Sequence, residues 1–298
     1  MRSDINTTGI IGAGLMGTAC VRRLAQAGLD VCAYDVEQAK LAAIEKLGAR
    51  KTGSVAEIVE QCPMLVLCVF DTDQVEQVIE GEGGIAQALL GKNEARVVIC
   101  TSTCDPDRLA ALAARVESRG VQFLEVPISG TSGQLAGGDG VGLVGGDRAV
   151  MERAAPVLDA ICPRRHYLGA VGSGSRTKLA VNLILGLNRA AFAEGLVFAE
   201  RLRLDPVAFL EVARSSAAYS QVMDIKGPLM ARREFGSPQS RVDQSLKDFR
   251  LMVEQARATG QALPFACVYV EMLEDCMRNG EGEWDNGAIL EAIRRRTV

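Results

Sequence analysis
The chain has 298 residues, 48% of them hydrophobic and 23% charged, with a formal net charge of −4. That length points to two domains rather than one core, and the charge leaves no electrostatic footprint for nucleic acid. A single histidine provides poorly for a His-based zinc site or a Ser-His-Asp triad, so acid–base chemistry must lean on Lys, Asp, Glu or Tyr.

A first strand is expected at Thr7–Ile11, running straight into Gly12-Ala13-Gly14-Leu15-Met16-Gly17. A helical pattern continues to Ala27, Gly28 closes it, and Asp30–Tyr34 reads as a second strand. In such a unit Gly12 permits the tight turn, Gly14 lets the backbone approach a pyrophosphate, and Gly17 lets the helix pack close to the sheet. The helix N-terminus offers N–H groups and a positive dipole end to the phosphates. Asp35 ends the second strand, 18 residues past Gly17. A carboxylate there accepts hydrogen bonds from a ribose hydroxyl and repels a 2′-phosphate. Val36 and Glu37 supply no arginine to hold that phosphate, so NAD is expected in preference to NADP.

The alternation continues with strands at Leu65–Phe70, Ala95–Cys100 and Val121–Val126, and helices at Thr72–Ile79 and Pro106–Ser118. Thr101-Ser102-Thr103 follows a strand end, where a doubly wound sheet places its ligand. The turn-rich run Pro127–Gly133, with Ser129, Gly130 and Thr131, presents N–H groups and hydroxyls to an anion. A glycine-rich strand is expected at Gly140–Gly145 and a helix at Met151–Ile161; His166 is given no role. Residues 1–168 therefore read as an α/β, Rossmann-type doubly wound domain.

Gly172–Glu200 opens with a flexible Gly-Ser-Gly-Ser run ending in an N-cap and continues as a strongly apolar helix. A helix apolar on nearly every face is expected to be buried on nearly every side, here as an interdomain helix. Asn182, Asn188 and Arg189 keep its apolar run short of a membrane span. Lys178 and Asn182, four apart, share one face near its start. An amine and an amide on a dry face suit a catalytic pair. Helical periodicity follows at Val207–Ser215, Gln244–Thr259 and Phe265–Asn279, so residues 169–298 read as an all-α substrate and oligomerisation domain. Lys247-Asp248 falls in one of its helices, and Arg294-Arg295-Arg296 reads as a solvated tail. The cysteines sit mostly in apolar runs without a Cys-x-x-Cys pair, as reduced thiols in a cytoplasmic protein do. No signal peptide and no membrane partner are expected.

The order of these motifs resembles the β-hydroxyacid dehydrogenase family over nearly the whole chain. The glycine fingerprint of that family, with Met16 in place, matches Gly12 to Gly17. Its D-A-P-V-S-G-G signature is similar to Glu125-Val126-Pro127-Ile128-Ser129-Gly130-Thr131, and its G-x-G-x-x-x-K-x-x-N-N signature to Gly172, Gly174, Lys178 and Asn182. Its late K-D pair falls on Lys247-Asp248. Three positions depart: Glu125 stands for aspartate, Thr131 for glycine, and Val181 for the first asparagine. The resemblance implies further cofactor contacts at Leu15, Met16, Val69, Ser102, Thr103 and Lys247, and a homodimer or homotetramer. It also implies reversible oxidation of a small 3-hydroxycarboxylate to its semialdehyde or ketone. In that reaction Lys178 is the acid–base group, Asn182 holds the substrate hydroxyl, and Ser129, Gly130, Thr131 and Lys247 bind an anionic substrate. Some sulfonate-handling relatives carry an arginine in the loop after the proline; Ser129-Gly130-Thr131 has none, so a carboxylate is the expected anion. An imine reductase would share the architecture but generally lacks the Lys-Asn pair. A dinucleotide-binding module without catalysis is the non-enzymatic alternative.

Overall fold
The computed structural model describes residues 7–92 and 94–297. The chain divides into two compact units, one ending at Lys178 and the other beginning at Leu179.

The first unit runs β1 (Thr7–Ile11), α1 (Leu15–Gln26), β2 (Asp30–Tyr34), α2 (Gln38–Glu45), β3 (Arg50–Lys51), α3 (Val55–Gln61), β4 (Met64–Leu67), α4 (Thr72–Glu80), α5 (Ile85–Ala88), β5 (Arg96–Cys100), α6 (Pro106–Val116), β6 (Val121–Glu125), β7 (Ile128–Ser129), α7 (Ser132–Ala136), β8 (Val141–Gly146), α8 (Arg148–Arg153), α9 (Ala155–Ile161) and β9 (Arg164–Gly169). The strands form one sheet in the order β3-β2-β1-β4-β5-β6-β8-β7, with β9 beside β8. Pairing is parallel from β3 through β6, while β8 runs antiparallel to both β6 and β7. The order reverses at β1, the switch point beside which an open α/β sheet leaves a ligand crevice.

Alternate strand residues serve opposite layers, which is why the strands read as unbroken apolar runs. Ile10, Ala33, Val66 and Ile99 join a core with Ala19, Cys20 and Leu24 of α1. Their neighbours Ile11, Cys32, Leu65 and Val98 join another with Ile58, Val75 and Leu109 on the other face.

Several expectations need correction. The strand expected through Phe70 ends at Leu67, because Asp71 caps α4 and Gln74 Oε1 accepts the Phe70 N–H at 2.9 Å, turning the chain off the sheet. The single helix at Met151–Ile161 is two, α8 and α9, with Pro156 in the first turn of the second; proline has no N–H to continue a helix. His166 lies in β9, a strand too polar to show in the pattern.

The long helix α10 (Ser173–Arg201) spans the boundary between the units and has 29 residues. It begins at Ser173, so Ser175 is a buried residue of its first turn rather than an N-cap. Nor is it buried all round: Ile184 is 63% and Phe198 64% exposed. Against the expectation from Asn182, Asn188 and Arg189, its apolar run is not too short for a span: among the described residues α10 is long and apolar enough to cross a membrane by length and composition alone, with 33% of its most apolar window buried. In the second unit its Leu179, Phe192, Ala193 and Leu196 pack into the helical core.

That unit continues with α11 (Pro206–Ser215), α12 (Gln221–Ile225), α13 (Gly227–Arg232), α14 (Val242–Ala258), α15 (Pro264–Arg278) and α16 (Ile289–Arg295). Gly186 gives α10 its close approach there, since a Cβ would lie 2.4 Å from the Phe249 ring. The arginines expected as a solvated tail are instead ion-paired: Arg294 with Glu200, and Arg295 with Asp275 and Glu281. The carboxylates lie on α10, on α15 and in the turn that follows it, and were invisible to local pattern.

Candidate active site
The turn between β1 and α1 is made by contacts that side chains would not tolerate. Gly12 has φ +99°, and a Cβ there would lie 2.6 Å from the Cys68 carbonyl oxygen. A Cβ on Gly17 would lie 1.9 Å from the Gly12 oxygen, so α1 packs directly on the turn. Gly14 differs: nothing stands within 4 Å of where its Cβ would be. It is the N-cap of the 12-residue α1, and no side chain caps that helix. Uncapped amides beside an open glycine surface fit a pyrophosphate, and Leu15 and Met16 head the same helix. These residues fit a dinucleotide.

Asp35 follows β2 and is 8% exposed. Its Oδ2 accepts the Ala13 N–H at 2.6 Å and its Oδ1 accepts the Glu37 N–H at 2.8 Å. The carboxylate thus shapes the glycine turn itself, and each oxygen keeps a lone pair for a further donor. Val36 points outward, 82% exposed. At the next strand ends, Ser102 Oγ donates to the Val69 carbonyl at 2.7 Å and Thr101 Oγ1 to the Leu67 carbonyl at 2.8 Å. The Ser102 proton is therefore spent joining the β4 and β5 ends, while Val69 and Thr103 sit half-buried.

The anion-binding run is partly strand: Ile128 and Ser129 pair with Gly142 and Val141, and Gly130 turns the chain with φ +139°. Thr131 is the N-cap of α7. Its N–H donates to Gln134 Oε1 at 2.9 Å, and its Oγ1 accepts the Gln134 N–H at 3.2 Å. This reciprocal capping box accounts for a threonine where the family motif has glycine.

Lys178 is 6% exposed, and its Nζ donates to the Ile128 carbonyl at 2.6 Å. The structure therefore brings the expected acid–base amine to the residue just before Ser129. Asn182 follows four residues later on α10. In the second unit, Asn182 Nδ2 donates to Asp248 Oδ2 at 3.3 Å, and Lys247 Nζ lies 2.9 Å from Asp248 Oδ1. Among the described residues Asn182 Oδ1 is buried without a hydrogen-bond partner. Buried polar atoms are rarely left so, which suits a position that receives a ligand group.

Three contributors could not be read as such from the sequence. The Ile128 acceptor is backbone, so residue type does not mark it. Asp248 was legible as a neighbour of Lys247 but not as the partner of Asn182, which is 66 residues away. Glu125 showed only as a departure from a motif.

Fold and site together define a dinucleotide-dependent oxidoreductase, and comparison with known proteins supports that class. The profile for the NAD binding domain of 6-phosphogluconate dehydrogenase matches residues 7–169. The profile described as NAD-binding of NADP-dependent 3-hydroxyisobutyrate dehydrogenase matches residues 172–293. Glyoxylate/succinic semialdehyde reductase 2 of Arabidopsis thaliana, a chloroplastic protein, is 30% identical over 98% of this chain and 81% of its own. The 2-hydroxy-3-oxopropionate reductase of Escherichia coli K12 is 29% identical over 96% of each. The crystal structure of 3-hydroxyisobutyrate dehydrogenase from Salmonella typhimurium superposes with a TM-score of 0.87 at 26% identity, covering 96% of this chain and 99% of that one. The chain belongs to the β-hydroxyacid dehydrogenase family, oxidoreductases that act on CH–OH groups.

Proposed function
We propose that this protein is an NAD-dependent dehydrogenase/reductase that interconverts a small 3-hydroxycarboxylate and its semialdehyde or ketone. The observation that carries the reading is the buried Lys178 amine held at 2.6 Å by the carbonyl beside Ser129 and Gly130, neutral when it accepts a proton and charged when it returns one. A hydroxyl gives up hydride readily only if its proton leaves too. Lys178 Nζ takes that proton in oxidation and returns it in reduction. NAD, when bound, supplies the hydride acceptor. Ser129 and Gly130 present a hydroxyl and an N–H to the substrate carboxylate, with Thr131 next in the chain. Asn182 orients the hydroxyl on the helix that carries the lysine, and Lys247, beside Asp248, offers an ammonium to an anionic ligand. Asp35 supports NAD over NADP because its carboxylate opposes a 2′-phosphate.

A panel of 3-hydroxyacids with NAD, followed by absorbance of the reduced cofactor, tests the reading. Lys178→Ala should lower kcat by on the order of 10²- to 10⁴-fold and leave NAD affinity nearly unchanged. Near-normal turnover by that variant ends the assignment. Measurable NAD binding without turnover of any hydroxyacid favours a non-catalytic module.

The same reading makes the protein a cytoplasmic homodimer or homotetramer without nucleic-acid or membrane partners. All nine cysteines are free thiols, in keeping with a reducing compartment. Val181, Ile184 and Phe198 leave an exposed apolar row on α10, a surface that a second copy would cover.

A further inference from the structure
Glu125 ends β6 and is fully buried. Its Oε1 accepts the Gly174 N–H at 2.7 Å; its Oε2 accepts the Ser175 N–H at 3.1 Å and the Ser175 hydroxyl at 2.5 Å. These are amides of the first turn of α10, where a carboxylate satisfies orphan donors and meets the positive end of the helix dipole. Missing side chains make the room: a Cβ on Gly145 would lie 2.2 Å from Oε1, and one on Gly174 would lie 3.2 Å from it. Burial pushes the Glu125 carboxyl above the usual carboxylate range, and the hydrogen bonds from Ser175 and Gly174 oppose that shift.

Three residues past Glu125 comes Ile128, and three past Ser175 comes Lys178. The same stretch of chain therefore grips the same helical turn twice, through Glu125 to Ser175 and through Ile128 to Lys178, each pair separated by 50 residues. We propose that Glu125 is a positioning residue for Lys178: its carboxylate pins the first turn of α10 so that the lysine amine lies against Ile128 and Ser129. A turn released from that anchor carries Nζ with it, and a displacement of about 1 Å at a catalytic group costs on the order of 100-fold in rate. The inference rests on the acid–base role proposed for Lys178.

Glu125→Gln keeps the shape but turns an amide N–H₂ toward donors. Glu125→Asp keeps the charge but withdraws it from Gly174 and Ser175, and Ser175→Ala deletes one donor. In Glu125→Gln the kcat for hydroxyacid oxidation should fall on the order of 10- to 100-fold, with smaller losses in the other two. The NAD dissociation constant and the number of NAD sites per chain should hold. The primary deuterium isotope effect on kcat/KM should rise, because hydride transfer with a misplaced base becomes more fully rate-limiting. A merely structural role would lose NAD sites in step with rate and leave the isotope effect unchanged; that result, or wild-type kcat in Glu125→Gln, overturns the inference. If Glu125→Gln does not fold, Ser175→Ala is judged by the same two readouts. Failure of the wild type to turn over any hydroxyacid removes the role of Lys178 and this inference with it, and is seen without any variant.

Discussion
Asp35→Asn separates the two tasks of one carboxylate. In the wild type both oxygens are engaged, with the Ala13 N–H at 2.6 Å and the Glu37 N–H at 2.8 Å. A hydrogen bond to a charged acceptor contributes about 1.5–3 kcal/mol. Asparagine keeps one acceptor oxygen and turns its N–H₂ toward the other backbone donor, so one bond is lost and the ligand-free protein should lose roughly that amount of stability. The second task is charge. A unit charge 4 Å from another costs about 4 kcal/mol at an effective dielectric of 20, and solvent at the ribose site reduces that figure. Half of it, about 2 kcal/mol, is still more than tenfold in an equilibrium, since each 1.4 kcal/mol is tenfold. The wild type should therefore favour NAD over NADP by more than about tenfold in kcat/KM. Asp35→Asn should raise kcat/KM with NADP on the order of tenfold while lowering it with NAD. Initial rates with both cofactors and thermal unfolding of the ligand-free protein measure the two effects separately. A wild type that prefers NADP, or a variant with unchanged cofactor ratio and melting temperature, refutes the reasoning.

Gly17→Ala places a Cβ where 1.9 Å separates it from the Gly12 oxygen; saturable binding in an NADH fluorescence titration should disappear, and normal binding would contradict the packing argument. Lys226 Nζ lies 2.6 Å from Asp285 Oδ2, with side chains 3% and 0% exposed. Lys226→Ala strands that carboxylate and should cost about 3–5 kcal/mol in urea unfolding, whereas an unchanged midpoint would show that the pair contributes nothing. Phe198→Asp with Ile184→Asp puts charge on the exposed row of α10. Sedimentation velocity should then report a smaller species than the wild type, and an unchanged mass would move the oligomer interface elsewhere.

Most of the first unit was legible because its signals are local. Thr7–Ile11, the glycines and the following helix are neighbours in sequence, and Gly12 and Gly17 hold their positions for reasons of backbone space that no other residue meets, while Gly14 leaves its surface open. The strand ending at Asp35 was equally plain, since an apolar run stops where a carboxylate begins. Elements whose cause is remote were missed or misjudged. The polar strand Arg164–Gly169 exists because Val141–Gly146 offers it an edge. Arg294 and Arg295 find carboxylates only once the helices have packed. The uniform apolarity of α10 suggested burial all round, yet one row of the helix remains exposed.

For the site, the sequence by itself determined which chemistry was present: an amine and an amide one helical turn apart, a phosphate turn, and a loop of small polar residues. Those follow from residue type and spacing, because turn and helix geometry are nearly the same in every protein. Tertiary structure alone decided which groups meet. It carried Lys178 to the Ile128 carbonyl across 50 residues, closed the glycine turn on Asp35, and set Glu125 beneath the first turn of α10. Such contacts depend on where the sheet ends and how the helix is anchored to it, and spacing along the chain holds no record of either.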